Sequence, residues 1–321
     1  MKITVITTGG TIECVGENGV LRPAADIGPL VCRAVKAGAP QADCEVSPLM
    51  KTLSENADGR GVAKIVGAVK RALESSDGVI VTHGTDTLDV TAAALSYALG
   101  SLSAPVVMAS AMRPPFTEGS DAPLCLAACA AVASSGMRGV YAVSASGDSA
   151  SVFRGSRLMP FAPYSDKMTA LGGRIAEYDG GKLSVYPSDC EPDGMPPADI
   201  GALLSPSDVM LVMPQSVFAL PEPPEGVRKV LFPLFHSATL PTAREDFVRY
   251  CRKCAERGIS LYATGALPRS RYESAELFGA LGITVMPPIA PASAAMKLRL
   301  GLKTDVSLGG DICRDPSSAL C

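Results

Sequence analysis

The run Lys2-Ile3-Thr4-Val5-Ile6-Thr7-Thr8-Gly9-Gly10-Thr11-Ile12-Glu13 begins as a β-branched apolar stretch and ends in paired glycines beside a hydroxyl. A second run, Val79-Ile80-Val81-Thr82-His83-Gly84-Thr85-Asp86-Thr87-Leu88, repeats that order: an apolar stretch, a glycine turn, then hydroxyls beside a carboxylate. Apolar segments without polar alternation read as strands buried on both faces of a parallel sheet. Strands are predicted at 3–7, 78–82, 106–109 and 140–144, with helical patterns over 29–36, 59–75, 87–99 and 123–135 between and around them. Strands alternating with helices imply an α/β protein with a doubly wound parallel sheet.

Outward from these runs, the stretch 178–206 is rich in Gly, Pro, Asp and Ser and reads as a connector, with one possible strand at 183–186. A smaller α/β unit follows, with strands predicted at 209–213, 229–235 and 260–263 and helices at 243–257, 271–281 and 292–300. The expected division is a larger N-terminal domain over 1–186, a linker over 187–206 and a C-terminal α/β domain over 207–321.

The 321 residues are 47% hydrophobic, enough for a sizeable core, and their formal net charge of −3 argues against nucleic-acid binding, which needs basic patches. No apolar run reaches the length of a membrane span, and no signal-peptide pattern opens the chain, so a cytoplasmic protein is expected. Ten cysteines are then expected as thiols. Cys251-x-x-Cys254 lies in a helical pattern, and with His83 and His236 as the only histidines it lacks partners for a zinc site. Cys125 and Cys129, four apart in an alanine-rich helix, read as small core residues.

In parallel α/β sheets ligands gather at the carboxyl ends of strands. Paired glycines there allow close backbone approach and leave N–H groups free to point at a substrate. A neighbouring hydroxyl can then serve as a nucleophile, and a carboxylate can hold an ammonium group or orient a base. Each residue also has a plain structural alternative: Thr11 packing or capping, Thr85, Asp86 or Ser54 as helix N-caps, Glu55 as a solvated side chain. His83 reads as a hydrogen-bonded structural histidine.

Taken together, the two runs resemble the paired signatures of bacterial-type L-asparaginases/glutaminases. Leu53-Ser54-Glu55-Asn56 is similar to that family's serine-containing substrate loop. Ser110-Ala111-Met112-Arg113-Pro114 and Arg154-Gly155-Ser156-Arg157 resemble later landmarks, and 288–302 resembles its closing helix. The resemblance implies a nucleophilic Thr11 that attacks a side-chain amide and releases ammonia. It implies a Thr85 that positions water or nucleophile, an Asp86 that binds the substrate ammonium and a Ser54 that binds its carboxylate. Glu55, Gly10 and Gly84 would complete the substrate contacts. It implies no metal or organic cofactor, an amino-acid substrate, and a homo-oligomer, dimer or tetramer.

Two positions depart from the family pattern. The lid segment 14–23 has no tyrosine, Val20 taking its place, although Gly16 and Gly19 could hinge a lid. Where the family has a lysine that acts on the second threonine, the chain reads Arg157-Leu158-Met159-Pro160-Phe161; Lys167 is the nearest lysine, and Tyr164 is a candidate substitute. Three functions therefore compete: hydrolysis of asparagine, hydrolysis of a different amide, and binding of aspartate or asparagine with little or no turnover.

Overall fold

The computed structural model describes residues 1–23, 26–186, 195–215, 217–264, 272–308 and 310–312. The chain runs β1 Lys2–Gly9, β2 Cys14–Glu17, β3 Val20–Pro23, α1 Gly28–Gly38, β4 Asp43–Thr52, α2 Gly59–Leu73, β5 Gly78–Thr82, α3 Leu88–Leu99, β6 Pro105–Ala109, α4 Ala122–Ala133 and β7 Gly139–Ser146. It continues through β8 Ser149–Arg154, β9 Ala176–Asp179, β10 Lys182–Val185, β11 Val209–Leu211, β12 Lys229–Pro233, α5 Glu245–Glu256, β13 Ser260–Thr264, α6 Glu273–Glu276, β14 Ile283–Val285 and α7 Pro291–Arg299.

The larger sheet has the order β10-β9-β8-β7-β6-β5-β1-β4, parallel from β4 through β7 and antiparallel from β7 to β10. Its strands alternate between two cores. Ile3, Val5, Ile80, Val107 and Val143 face α1 and α4, whereas Ile6, Val79, Val81, Met108 and Ala142 face α2 and α3. This two-sided burial is why the strands read as unbroken apolar runs. The possible strand at 183–186 corresponds to β10, which pairs with β9, so the start of the supposed connector closes the sheet. Of the linker, 187–194 lies outside the described residues. The smaller sheet is all parallel, order β11-β12-β13-β14, with a core that joins Phe232 of β12 to Phe247, Tyr250, Cys251 and Cys254 of α5. The helix expected over 271–281 is shorter than expected. α6 covers only Glu273–Glu276 before turns lead through Gly279 and Gly282 to β14, and Arg271 lies outside the described residues.

Handedness sets one crossover apart. The β4–α2–β5 and β5–α3–β6 connections move across the sheet in one direction with their helices on one face. The β1–α1–β4 connection moves the opposite way with its helix on the opposite face, which is the same hand. The β6–α4–β7 connection moves with the first two but places α4 beside α1. Parallel crossovers are right-handed in about 98% of cases. Three of the four follow that rule, so β6–α4–β7 is left-handed. The alanines of α4 permit this seating: a Cβ on Gly38 of α1 would lie 1.8 Å from the Ala127 carbonyl oxygen, so the two helices touch backbone to backbone.

The segment after α7 is tied down by a buried ion pair. Lys297 Nζ lies 2.8 Å from Asp311 Oδ2, with neither side chain exposed, and Tyr97 of α3 donates to the same oxygen at 2.6 Å. Lys297 also donates to the Val306 carbonyl and Arg157 Nε to the Gly310 carbonyl, each at 2.6 Å. Removing one partner of such a pair strands the other charge, at a cost on the order of 3–5 kcal/mol. Asp311→Ala is expected to lower the urea unfolding midpoint markedly, and the apolar double variant Lys297→Met/Asp311→Leu to recover part of that loss. Equal midpoints for Asp311→Ala and the parent chain would show that the pair does not hold the segment.

Candidate functional site

Strands β1 and β5 are neighbours whose outgoing connections leave on opposite faces, which makes their carboxyl ends the switch point of the sheet. After β1 the chain turns through Gly9 and Gly10, both at positive φ (109° and 79°), into a single 3-10 turn over Thr11–Glu13. Gly10 donates to the Thr52 carbonyl at 3.0 Å, tying the turn to the end of β4. A Cβ on Gly10 would lie 2.4 Å from Gly84 N and 2.7 Å from the His83 carbonyl carbon. A Cβ on Gly84 would lie 2.4 Å from Ser54 Oγ. The Gly-Gly-Thr turn, the His-Gly-Thr-Asp turn and the Ser54 loop therefore stack directly on one another. Thr11 and Thr85 are each one residue from the touching glycines.

The remaining candidates divide by exposure. Thr11 and Thr85 are half-buried, Asp86 and Glu55 are exposed, and Ser54 is buried. The capping alternatives do not hold for Asp86 and Ser54. The N-cap of α3 is Thr87, whose hydroxyl donates to the Ser54 carbonyl at 2.9 Å, and the N-cap of α2 is Asp58, which accepts from Gly61 N–H at 2.8 Å. Ser54 Oγ has no hydrogen-bond partner among the described residues, an uncommon state for a buried hydroxyl.

His83 is structural, as read from sequence. Its Nδ1 donates to the Gly84 carbonyl at 2.7 Å, which leaves Nε2 to accept from the Thr91 hydroxyl at 2.9 Å. Burial pushes its pKa down, so the ring stays neutral. Tyr164, the candidate substitute, is fully exposed, and Lys167 and Pro160 are exposed. The 14–23 segment is a β2–β3 hairpin closed by Asn18 and Gly19, both at positive φ as a two-residue type I′ turn requires. Gly16 lies inside β2 and Gly19 at the tip, so neither hinges the hairpin.

The sequence reading gave no role to Glu13, a carboxylic acid between Ile12 and Cys14 and almost fully buried. Its Oε1 accepts from Gly9 N–H at 2.7 Å and from the Thr82 hydroxyl. Thr82 Oγ1 in turn accepts from Thr8 N–H at 3.0 Å, and Thr8 donates to the Thr82 carbonyl at 2.5 Å. The ends of β1 and β5 are thus stapled through one carboxyl. Burial raises the Glu13 pKa from 4.5, opposed by the Thr82 and Gly9 hydrogen bonds and by the charge of Lys51. The available signal was the acid itself, placed four residues after the first turn glycine inside an apolar stretch.

The family model described as Asparaginase, N-terminal matches residues 2–165. A glutamyl-tRNA(Gln) amidotransferase subunit from Metallosphaera sedula is 35% identical over 155 residues, covering 47% of this chain. Its counterpart of the same name from Methanopyrus kandleri is 36% identical over 146 residues, covering 44%. The matched parts are 35% and 32% of those relatives' own lengths, so the chain spans about a third of each. In fold, the chain is similar to the thermostable L-asparaginase of Thermococcus kodakarensis, with a TM-score of 0.77 at 21% identity, covering 98% of this chain and 100% of that one. L-asparaginase I of Vibrio cholerae gives a TM-score of 0.73 at 17% identity, covering 97% and 99%.

Gly10→Ala is expected to fail both in a thermal melt and in any ligand assay, because its new Cβ meets backbone that cannot step aside. A variant that melts with the parent would remove the glycine contact as the organising element. Glu13 also sets a pH dependence. A carboxyl whose pKa rises on folding binds its proton more tightly in the folded state, so stability falls as pH climbs from 4.5 through the folded value. Glu13→Gln keeps an oxygen to accept both hydrogen bonds but cannot ionise. Its melting temperature relative to the parent is expected to rise between acidic and neutral pH, and a pH-independent difference would contradict the assignment.

Proposed function

Because this chain belongs to the asparaginase family of amidohydrolases, we propose that it hydrolyses the side-chain amide of L-asparagine to L-aspartate and ammonia, with Thr11 as nucleophile. Thr11 Oγ adds to the amide carbon, and its proton passes to the leaving nitrogen. The C–N bond then breaks, ammonia departs, and an acyl ester remains on Thr11. Water adds to the acyl carbon, the bond from that carbon to Thr11 Oγ breaks, a proton of the water passes to Oγ, and aspartate leaves with the hydroxyl restored.

The observation that carries this reading is the direct stacking of Gly10, Gly84 and Ser54. It supports one small site in which the nucleophile and the groups for a zwitterion converge. Ser54, with a buried and unpartnered hydroxyl, is the donor for the substrate carboxylate. Asp86 takes the ammonium, with Glu55 beside it, and Thr85 positions the attacking water. The N–H groups around Gly10 and Gly84 polarise the amide oxygen. No metal or organic cofactor is needed for any of these steps.

A second reading, binding with little or no turnover, is favoured by Pro160 at the family's lysine position and by the full exposure of Tyr164. Glutamine is the alternative amide: the relatives matched over 47% and 44% of the chain are amidotransferase subunits whose names include Gln, and their naming as subunits makes a different protein partner a rival to the homo-oligomer expected from the resemblance.

Ammonia release separates these readings. Asparagine hydrolysis is expected to exceed glutamine hydrolysis and to vanish in Thr11→Ala. Pro160→Lys is expected to raise kcat by on the order of 10²-fold or more, the usual effect of supplying a proton-transfer group. Full activity in Thr11→Ala would eliminate that residue as nucleophile. No ammonia release, together with a melting-temperature rise in aspartate, would favour the binder.

A further inference from the structure

Beside the first turn of α3 lies an open cavity of about 440 Å³, whose lining includes none of Gly10, Thr11, Ser54, Gly84, Thr85 or Asp86. It is walled by Asp89, Pro160, Leu203 of the 3-10 turn before β11, Leu211 of β11, and Ala295 and Met296 of α7. That volume falls in the ordinary range for small-ligand sites. Its walls are mostly hydrocarbon, and charge enters at two places only, Asp89 and Arg299.

The two charges differ in availability. Arg299 is committed: its Nη1 donates to Asp208 Oδ1 at 3.0 Å and its Nη2 to the carbonyls of Ala202 and Ser205. It fastens α7 to the stretch before β11 and has little left for an anion. Asp89 is 8% exposed, and its carboxyl meets only the N–H groups of its own residue and Val90 at the helix start. Among the described residues, no Lys or Arg forms an ion pair with it. Burial pushes its pKa up, opposed by the N–H groups of Val90 and Asp89. A hard divalent cation would need several oxygen ligands, and no group of three potential metal-holding side chains occurs among the described residues.

We propose that this cavity binds a small apolar amine, with its ammonium group on Asp89 and its hydrocarbon against Pro160, Leu211 and Met296. An ammonium group supplies the missing partner charge and donors, and an alkyl body of six carbons or so covers the apolar walls. Pro160 contributes ring carbons rather than a charge to this wall, so it leaves the carboxyl free for a ligand. The cavity shares Pro160 with the family's lysine position but is lined by none of Thr11, Ser54, Thr85 or Asp86, and the proposal holds whether or not the chain turns over asparagine.

The test is titration calorimetry of the whole chain at neutral pH with three probes of equal length: hexylamine, 1-hexanol and hexanoate. Hexylamine is expected to bind saturably at one site per chain, on the order of tenfold tighter than 1-hexanol, with no binding of hexanoate. Asp89→Asn is expected to bring hexylamine down to the affinity of the alcohol. Ala295→Phe, which fills the cavity from α7, is expected to abolish binding of both while circular dichroism stays that of the parent. Equal affinity for amine and alcohol, unchanged amine binding in Asp89→Asn, or unchanged binding in Ala295→Phe would each overturn the proposal. Should Asp89→Asn fail to fold, the amine-to-alcohol ratio in the parent chain and the Ala295→Phe result decide.

Discussion

The absence of two side chains organises this molecule. Gly10 and Gly84 bring the ends of β1 and β5 into backbone contact, closer than any Cβ permits. From that contact follow the placement of two hydroxyl-bearing turns side by side and the seating of Ser54 upon Gly84. The neighbouring polar groups then have to be satisfied internally, and the Glu13 carboxyl does so by taking one N–H from the β1 turn and the hydroxyl at the end of β5. Loss of a side chain at one level thus requires a buried acid at the next, and the raised pKa of that acid is the energetic trace of the arrangement.

Rigidity and reactivity are separated in this site. The groups that hold it, Glu13, Thr8, Thr82 and His83, are buried and saturated with hydrogen bonds. His83 is neutral, with both ring nitrogens engaged, so it has no capacity left to accept a proton from a nearby hydroxyl. Thr11, Thr85, Asp86 and Glu55 retain access to solvent. The framework is thus built from side chains other than the four proposed to meet substrate.

The central strands were legible because both their faces are covered: Val79, Ile80 and Val81 all enter a core, so the sequence shows no alternation. The β4 strand was not, because it is the sheet edge. Asp43, Glu45 and Ser47 point outward and Pro48 interrupts the run, a pattern that resembles a loop. The β2–β3 hairpin carried a usable signal in Asn18-Gly19, obscured by reading the segment as a lid. In the site, the glycines and hydroxyls stood out by their position after apolar strands. The function of Glu13 did not, since nothing in its spacing says that its carboxyl turns back to Gly9. Crossover hand was invisible for a related reason: hydrophobic periodicity records which face of a helix is buried, not which face of the sheet receives it.

The left-handed passage from β6 through α4 to β7 has a consequence for the direction of biosynthesis. A helix docking against its own strands settles naturally on the right-handed side, whereas α4 is drawn to the other face by the close surface that α1 offers at Gly38. The surface that seats residues 122–146 on this face therefore comes from the first forty residues. A ribosome delivers that surface before them, since domains form as the N-terminal part emerges first. A circularly permuted gene opening near Gly59 would deliver α4 before its template, and its product would have to find the rarer hand unaided.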